Sequence, residues 1–386
     1  MYSLVQKNID SKIIKLNLVS VYYYSFLSTF AVILFVNLIP SELILITRFF
    51  VIFTFIISIM LINNIKGVLY ILLFYVFILL YSLYPLMAGD ADIKYLLKNT
   101  KYAIYFIFTF GLINMLRLVT LDSFLYVMSK IFVLKLLLVG IVSLNMNFGG
   151  DWFVGYLLNG IDLNIHKLFG MYRVFDPYLF LFPLIFIYLK DKKNTTKVMV
   201  HILLLFNIAS SITFGIIFAY IIIMFMYYKQ VRIVGTFLSC VIVLIYHEYF
   251  LVFYDNFLIE KSVSIDVKMN QFIFLFNNIS ILGQGLGTLI DIQGRVDSML
   301  ENVFIYWFVV YGIIGTVFMM IFFIFFPFLI YYQNKKEINI VILFYMHCSV
   351  LLVTATNPVL ESVIGIMPMM IIMAFFFNKI ARNKSK

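Results

Sequence analysis

The amino-acid sequence predicts an all-α, polytopic integral membrane protein with about 12 transmembrane helices. Of its 386 residues, 64% are apolar and only 12% are charged, whereas a soluble domain is about half apolar and about a quarter charged. The mean hydropathy of +1.06 points the same way. Twelve spans of roughly 20 residues would occupy about 240 residues. This composition excludes a soluble enzyme, a disordered chain and a nucleic-acid binder.

Apolar runs bounded by charged or turn residues define the individual spans of one membrane domain, 1–386. We expect each span to be helical, because lipid offers no hydrogen-bond partner to a free backbone amide. The sequence places them at 17–38, 42–63, 67–87, 101–118, 123–145, 177–190, 198–211, 212–228, 232–252, 302–331, 338–354 and 359–378. The division between 211 and 212 rests on one visible break, Ser210-Ser211.

The positive charges predict which side of the membrane each connection faces. Three lysines precede the first apolar run, and no small-residue cleavage site follows it, so we interpret this run as a retained span. With the N-terminus in the cytoplasm, the inside segments hold 17 of the 28 Lys and Arg residues, the outside loops hold 8, and 3 lie within spans. Both termini are therefore expected in the cytoplasm, and most of the net charge of +10 reflects topology.

The length and polarity of the loops indicate where a functional site would lie. Two outside loops are long, 146–176 and 253–301, and they contain most of the charged and hydrogen-bonding residues of that face. The two cysteines, Cys240 and Cys348, lie inside apolar runs, which favours neither a disulfide framework nor a metal site. We therefore expect any functional site in the two large outer loops.

The first large loop ends in Phe169-Gly170-Met171-Tyr172-Arg173-Val174-Phe175-Asp176-Pro177. Asp followed by Pro before an apolar run is a helix-start signal, so Asp176 is expected to be an N-cap. Arg173 has two interpretations: its guanidinium reaches lipid headgroups, or it binds an anionic substrate group, for which its two-point geometry is suited.

The second large loop contains three polar clusters before a long apolar run. They are Ser264-Ile265-Asp266-Val267-Lys268, Gly283-Gln284-Gly285-Leu286-Gly287 and Arg295-Val296-Asp297-Ser298-Met299-Leu300-Glu301-Asn302, and the run then passes through Tyr311-Gly312-Ile313-Ile314-Gly315. Gly283, Gly285 and Gly287 permit close backbone approach and unusual dihedral angles. Ser298 and Glu301 fit a capping box, which competes with a catalytic role for Glu301. Arg295 and Asp297 have no such local role and stand near a helix N-terminus that favours an anion.

Together these features resemble the Wzy-type O-antigen polymerases, a family within the O-antigen polymerase and ligase superfamily. The resemblance rests on Arg173 before a span, on the Gly-x-Gly-x-Gly turn, and on the polar cluster that leads into the Tyr-Gly-x-x-Gly helix. It covers the second half of the chain in motifs and the whole chain in hydropathy. A basic position that is often arginine in the family is Lys268 here, and the second loop lacks the histidine typical of ligases, which favours a polymerase.

The resemblance implies glycosyl transfer between polyprenyl-pyrophosphate-linked oligosaccharides at the periplasmic face of a bacterial inner membrane. We expect no cofactor and no metal. The expected partners are the lipid-linked oligosaccharides and membrane lipids, and a chain-length regulator is a possible further partner. The residues expected to bind pyrophosphate are Arg173, Arg295, Lys268 and Arg48, and the candidates for the general base are Asp297, then Glu301, then His166. For His166 an ordinary polar position in a loop is the competing interpretation.

Other charged positions and other functions remain as alternatives. Asp90-Ala91-Asp92 has the spacing of metal-dependent sugar transferases, but a solvated surface explains it as well. Arg48, Lys130 and Lys135 fall within spans, where we expect long side chains to reach towards the membrane surface. A ligase of the same superfamily and a lipid-linked oligosaccharide flippase or other transporter are the competing functions.

Overall fold

The computed structural model describes residues 2–36, 44–62, 65–148, 165–168, 171–174, 176, 178–211, 214–228, 266–292, 295–297, 300, 302–355, 360 and 362–383. These residues are mostly helical, which confirms the all-α class. The helices are α1 Tyr2–Leu34, α2 Ile44–Met60, α3 Ile65–Ala88, α4 Ile93–Tyr105, α5 Phe108–Met115, α6 Leu121–Phe148, α7 Leu184–Leu189, α8 Asn194–Ser211, α9 Phe214–Tyr227, α10 266–278, α11 Val303–Met320, α12 Phe326–Gln333, α13 Ile338–Thr354 and α14 Val363–Asn383. Two antiparallel hairpins pair β1 Ile165–Leu168 with β2 Met171–Val174, and β3 Ile290–Ile292 with β4 Arg295–Asp297.

The chain is a multi-pass helical membrane protein. Five stretches of described helix are long and apolar enough to cross a bilayer: Asn17–Leu34, Gly67–Ala88, Leu121–Phe148, Val303–Gln333 and Val363–Ala381. Four shorter apolar helices accompany them: Leu45–Met60, Ala103–Met115, Gly215–Tyr227 and Ile338–Thr354. The total of twelve spans stays a prediction, and its span 232–252 lies outside the described residues.

Helix α3 has one face buried in the bundle and one exposed apolar face. Ile71, Phe74 and Ile78 on one face are at most 5% exposed and pack in the core. The opposite face exposes an apolar stripe with helical spacing, formed by Leu69, Leu72, Leu73, Val76, Leu79, Leu80 and Leu83. A continuous exposed apolar stripe of this length is the surface that hydrocarbon covers.

The predicted span 101–118 is divided in the structure between α4 and α5. At the division Phe106 N donates to Ala103 O (3.1 Å) and Ile107 N to Ile104 O (3.2 Å), which are three-residue rather than four-residue bonds. The Tyr75 hydroxyl donates to Ala103 O at 2.8 Å and supplies a second partner for that carbonyl. The division depends on a side chain from another helix, and no local sequence signal marks it.

Helix α11 is interrupted at Gly312, where φ is 62° and ψ is −167°. In an unbroken helix the amides of Ile313 and Ile314 would donate to the carbonyls of Val309 and Val310. Here Ile313 N donates to Ser280 O (3.0 Å) and Ile314 N donates to Ile281 O (3.2 Å).

The carbonyls on the other side of this interruption are also satisfied by the loop that follows α10. Gln284 N donates to Val309 O at 2.9 Å, and Gly285 N donates to Val310 O at 2.8 Å. Two helical bonds are therefore replaced by four bonds to the segment 280–285, which we call the inserted loop. Irregular backbone at membrane depth is tolerated when protein groups satisfy it in this way.

Leu286, the residue that follows the inserted loop, compensates for a defect in α3. Pro85 lacks an N–H, so it cannot donate to Tyr81 O, four residues earlier. Leu286 N donates to that carbonyl at 2.8 Å. The inserted loop and Leu286 therefore fasten α3 to α11 through backbone groups alone.

A π-helical turn, Ile321–Phe325, connects α11 to α12 and has a side-chain partner of its own. The buried ring of His347 in α13 donates from Nε2 to Phe323 O at 2.6 Å. This histidine therefore supports the irregular turn, a structural role that its position in an apolar run did not reveal.

The glycines of the inserted loop are required by close packing, and a matched pair of variants tests this. A Cβ on Gly283, where φ is 75°, would lie 2.3 Å from Val310 O, whereas a Cβ on Gly89, where φ is 79°, would meet nothing within 4 Å. Gly89→Ala should therefore cost only the left-handed backbone strain, roughly 1–2 kcal/mol. Gly283→Ala should lower the midpoint of thermal unfolding in detergent at least twice as far, because it also expels the loop. Equal shifts for the two variants would show that the insertion does not stabilise the protein.

Candidate functional site

The described strands of the first large loop form a hairpin that packs on the helices. The register of β1 and β2 sets the Cα of His166 opposite that of Arg173. Strand β2 lies against α6 and α8, so the hairpin packs onto the bundle instead of projecting freely from it. Two sequence-predicted residues of this loop are thus brought to one rung of a short ladder.

The residue that follows this hairpin, Asp176, forms a buried ion pair with Lys135 of α6. The two side chains are 3% and 1% exposed, and the Lys135 ammonium donates to Asp176 Oδ1. Tyr178 completes the site: its N–H donates to the same carboxylate oxygen at 3.0 Å, and its ring centre lies 4.6 Å from the Lys135 Nζ. A charge buried in this way requires a paired charge, which each residue supplies to the other.

These contacts correct one expectation and extend another. Asp176 does accept from the backbone of the turn that follows it, as its helix-start signature predicts. We had expected Lys135 to reach towards the membrane surface. Its side chain is buried instead, because the Asp176 carboxylate pairs with it inside the bundle. Lys130 is exposed, with its Nζ 4.5 Å from the centre of the Tyr126 ring.

The ion pair lies deep in the bundle. Lys135 stands midway along the 28 residues of α6, thirteen positions after Asp122, which corresponds to a rise of about 20 Å. Lys190, at the other end of the segment that Asp176 begins, pairs with Asp122 at 3.5 Å. The segment 176–190 therefore runs from the middle of α6 to its first turn. The predicted span 177–190 covers about 20 Å, less than the roughly 30 Å of the hydrocarbon core.

The second large loop is attached to the start of α11 by a polar contact. Gln271 of α10 is 5% exposed, and its Oε1 accepts from Asn302 N at 3.4 Å. Lys268 is half-buried and stands one turn before Gln271 on the same helix, so it shares the helix face that approaches α11.

Beyond α10 the second loop continues into the glycine cluster and the second hairpin. Gly283, Gly285 and Gly287 all have φ between 75° and 88°. In the hairpin, Arg295 is paired in register with Ile292 and Asp297 with Ile290. The bond from Asp92 N to Gly287 O, 3.3 Å, ties this loop to the start of α4.

The start of α11 differs from the predicted capping box. Asn302 is the N-cap: its side-chain oxygen accepts from Phe304 N at 3.0 Å and from Ile305 N at 3.2 Å. The Ser298–Glu301 capping box is therefore wrong, because asparagine immediately before the helix satisfies these amides directly. Ser298 and Glu301 themselves lie outside the described residues.

The remaining predicted positions have simpler environments. Arg48 is exposed near the start of α2, and its role in lipid or pyrophosphate contact stays a prediction. Asp92 is the N-cap of α4 and accepts from Lys94 N at 2.7 Å, so Asp90-Ala91-Asp92 has a structural explanation. Within the part of the chain that the structure describes, no group of three His, Cys, Asp or Glu residues is arranged to hold a metal ion.

Each of the two large loops has its own attachment to the helical bundle. The first is held by α6 and α8 through β2 and the buried ion pair, and the second by α3, α4 and α11 through backbone bonds. Comparison of the chain with family models, with curated proteins and with solved structures gives no match.

A double-mutant cycle tests whether the ion pair anchors the first loop. Lys135→Gln or Asp176→Asn alone should destabilise the protein by about 3–5 kcal/mol, because each leaves a buried charge without its partner. Asp176→Asn keeps an acceptor for Tyr178 N–H, so capping is preserved. The double variant should be less destabilised than the sum of the two, as measured by thermal unfolding in detergent.

The exposed pair Asp122–Lys190 provides the control for this cycle. Its side chains are 55% and 51% exposed, so Asp122→Asn and Lys190→Gln should each change stability by less than about 1 kcal/mol. Additive effects of Lys135→Gln and Asp176→Asn would contradict a direct interaction between the two side chains.

Proposed function

We propose that the chain is a polyprenyl-pyrophosphate-oligosaccharide polymerase that joins repeat units at the periplasmic face of the bacterial inner membrane. The hydroxyl of an acceptor oligosaccharide attacks the anomeric carbon of a donor. The bond from that carbon to the pyrophosphate oxygen breaks, and the lipid pyrophosphate leaves. The hydroxyl proton passes to a general base.

The observation that carries the proposal is the buried Lys135–Asp176 pair at the foot of the first hairpin. Arg173 is three residues from Asp176, so its Cα lies within about 11 Å of a residue that is fixed deep in the bundle. A lipid pyrophosphate develops charge close to the membrane, and a held guanidinium stabilises that charge better than a mobile one. The anchored loop is the kind of support that such a site requires.

The second hairpin carries the other half of the proposed chemistry. Arg295 and Asp297 are two residues apart on β4, so their Cα atoms are about 7 Å apart. In the proposal, Arg173 and Arg295 bind the pyrophosphates of donor and acceptor, with Lys268 as support. Asp297 accepts the hydroxyl proton, a role typically worth about 10²–10⁴-fold in rate. Glu301 is the second candidate for the base, followed by His166.

A transporter of lipid-linked oligosaccharides is the competing function, and two features favour it. The segment 176–190 stops in the middle of α6, and α11 is interrupted at Gly312. Interrupted helices near the membrane midplane are typical of secondary transporters, which use them to bind substrate. In this chain, however, the interruption at Gly312 is filled by the inserted loop, which leaves fewer free backbone groups for a substrate.

Purified protein in detergent distinguishes these functions, because micelles have no two compartments between which a transporter could act. Supplied only with a polyprenyl-pyrophosphate-linked repeat unit, a polymerase should produce a ladder of two, three and more joined repeats on a gel. A ligase should produce joined product only when lipid A core is added as acceptor. Unchanged substrate under both conditions would contradict the enzymatic proposals and favour transport.

Conservative variants test the proposed roles in the same assay. Arg173→Lys and Arg295→Lys should each lose most of the polymerising activity, since lysine replaces a two-point contact with phosphate by a point charge. Asp297→Asn should remove activity, while Glu301→Gln keeps most of it. Arg382→Lys, in the C-terminal segment, is the matched control and should retain full activity. The reverse result for the two acidic residues would make Glu301 the base, and full ladders from both arginine variants would show that the arginines only contact lipid.

A further inference from the structure

A cleft lined by both apolar and polar groups lies at the end of the bundle where α6 begins. It has a volume of about 370 Å³ and is formed by the turn between α5 and α6, by Glu337 before α13, and by the last turns of α14. In the orientation that the positive charges predict, this end faces the cytoplasm. The cleft is therefore separate from both large outer loops and from the chemistry proposed for them.

The charged side chains that line the cleft, Arg117, Glu337 and Lys379, carry a net charge of +1. Lys379 donates to Glu337 Oε1 at 3.1 Å and also to Asn334 Oδ1, so its charge is balanced. Arg117 is exposed in the same cleft. Nearby Asp122, in the first turn of α6, is already paired with Lys190 at 3.5 Å. The excess charge matches a ligand group that carries a single negative charge.

Asn378 lines the cleft and has a buried side-chain oxygen that needs a hydrogen-bond donor. Its side chain is 6% exposed, and its Nδ2 donates to Leu116 O at 2.9 Å. Its Oδ1 is buried, and among the described residues no group donates to it. A buried acceptor left unpaired costs about 1–3 kcal/mol, which a ligand with an O–H or N–H group would recover.

The cleft also has an apolar side. Leu118 lines it and is 51% exposed, and Phe375 of α14 lines it as well. The site therefore combines a guanidinium and a buried acceptor that have no partner among the described residues with an apolar surface at the end of the helical bundle. Each of these three features matches a different part of a phospholipid.

We propose that this cleft binds a phosphodiester headgroup that carries a hydroxyl donor, as in phosphatidylglycerol. Arg117 contacts the singly charged phosphodiester, Asn378 Oδ1 accepts from a glycerol hydroxyl, and the acyl chains lie against Leu118 and the neighbouring bilayer. A guanidinium suits this phosphate because two of its N–H groups can meet two phosphate oxygens. The same chemistry is present in the soluble compound glycerophosphoglycerol, which lacks the acyl chains.

Ligand-dependent thermal stability of the full-length protein in detergent tests the proposal, since a ligand that binds only the folded state raises the unfolding midpoint. Three probes separate its parts. Phosphatidylglycerol carries every feature, phosphatidylmethanol keeps the charge and acyl chains but lacks the hydroxyls, and glycerophosphoglycerol lacks the acyl chains. We expect phosphatidylglycerol to bind at least tenfold more tightly than phosphatidylmethanol. Comparable binding of glycerophosphoglycerol would support the headgroup assignment and identify a soluble ligand, whereas much weaker binding would support it and identify a lipid.

Two exposed cations at the same end of the bundle provide matched variants. Arg117→Gln should weaken phosphatidylglycerol binding at least tenfold, while Lys336→Gln, whose lysine lies outside the cleft, should change it less than twofold. Because both side chains are exposed, both variants should fold, and their unfolding midpoints without lipid check this. Equal affinity for phosphatidylglycerol and phosphatidylmethanol, or unchanged binding by Arg117→Gln, would overturn the proposal. Neither result depends on whether the outer loops carry out polymerisation.

Discussion

The absence of water from the hydrocarbon core is the constraint on which this structure depends. Each interruption of a helix must find its hydrogen-bond partners inside the protein, and three do so. The break at Gly312 is satisfied by the inserted loop, the carbonyl released by Pro85 accepts from Leu286 N, and the π-helical turn accepts from His347. These repairs also join α3, α11 and α13 to their neighbours. The same constraint that makes irregular backbone costly therefore determines which elements are held together.

Buried charge obeys a stricter form of this rule. Lys135 and Asp176 are both removed from solvent, and neither would be tolerated alone at that depth. Their pairing fixes the point at which the first large loop enters the bundle, two residues after the strand that contains Arg173. A polar segment is thereby held among apolar helices.

Most errors in the sequence interpretation arose where a partner came from a distant part of the chain. Lys135 was expected to reach the membrane surface because its carboxylate partner lies 41 positions away. The helix division at Phe106 depends on the hydroxyl of Tyr75, and the role of His347 depends on a carbonyl in another helix. The capping box was a different error: two local signals competed, and asparagine at the helix boundary prevailed over serine four residues earlier. The alternate glycines could be recognised from the sequence as a site of close backbone approach. The sequence did not show which helix they approach.

Composition and apolar run length by themselves determined that this is a multi-pass helical membrane protein, and they placed most of the described helices to within a few residues. These properties follow from transfer of side chains and backbone into lipid, which depends on local sequence alone. Only the tertiary structure decided that the segment 176–190 stops halfway, that α11 admits a loop at Gly312, and that Asn378 faces a cleft beside Arg117. Each of these depends on hydrogen bonds or ion pairs between residues far apart in the chain, and such pairings are selected by packing rather than by any local pattern.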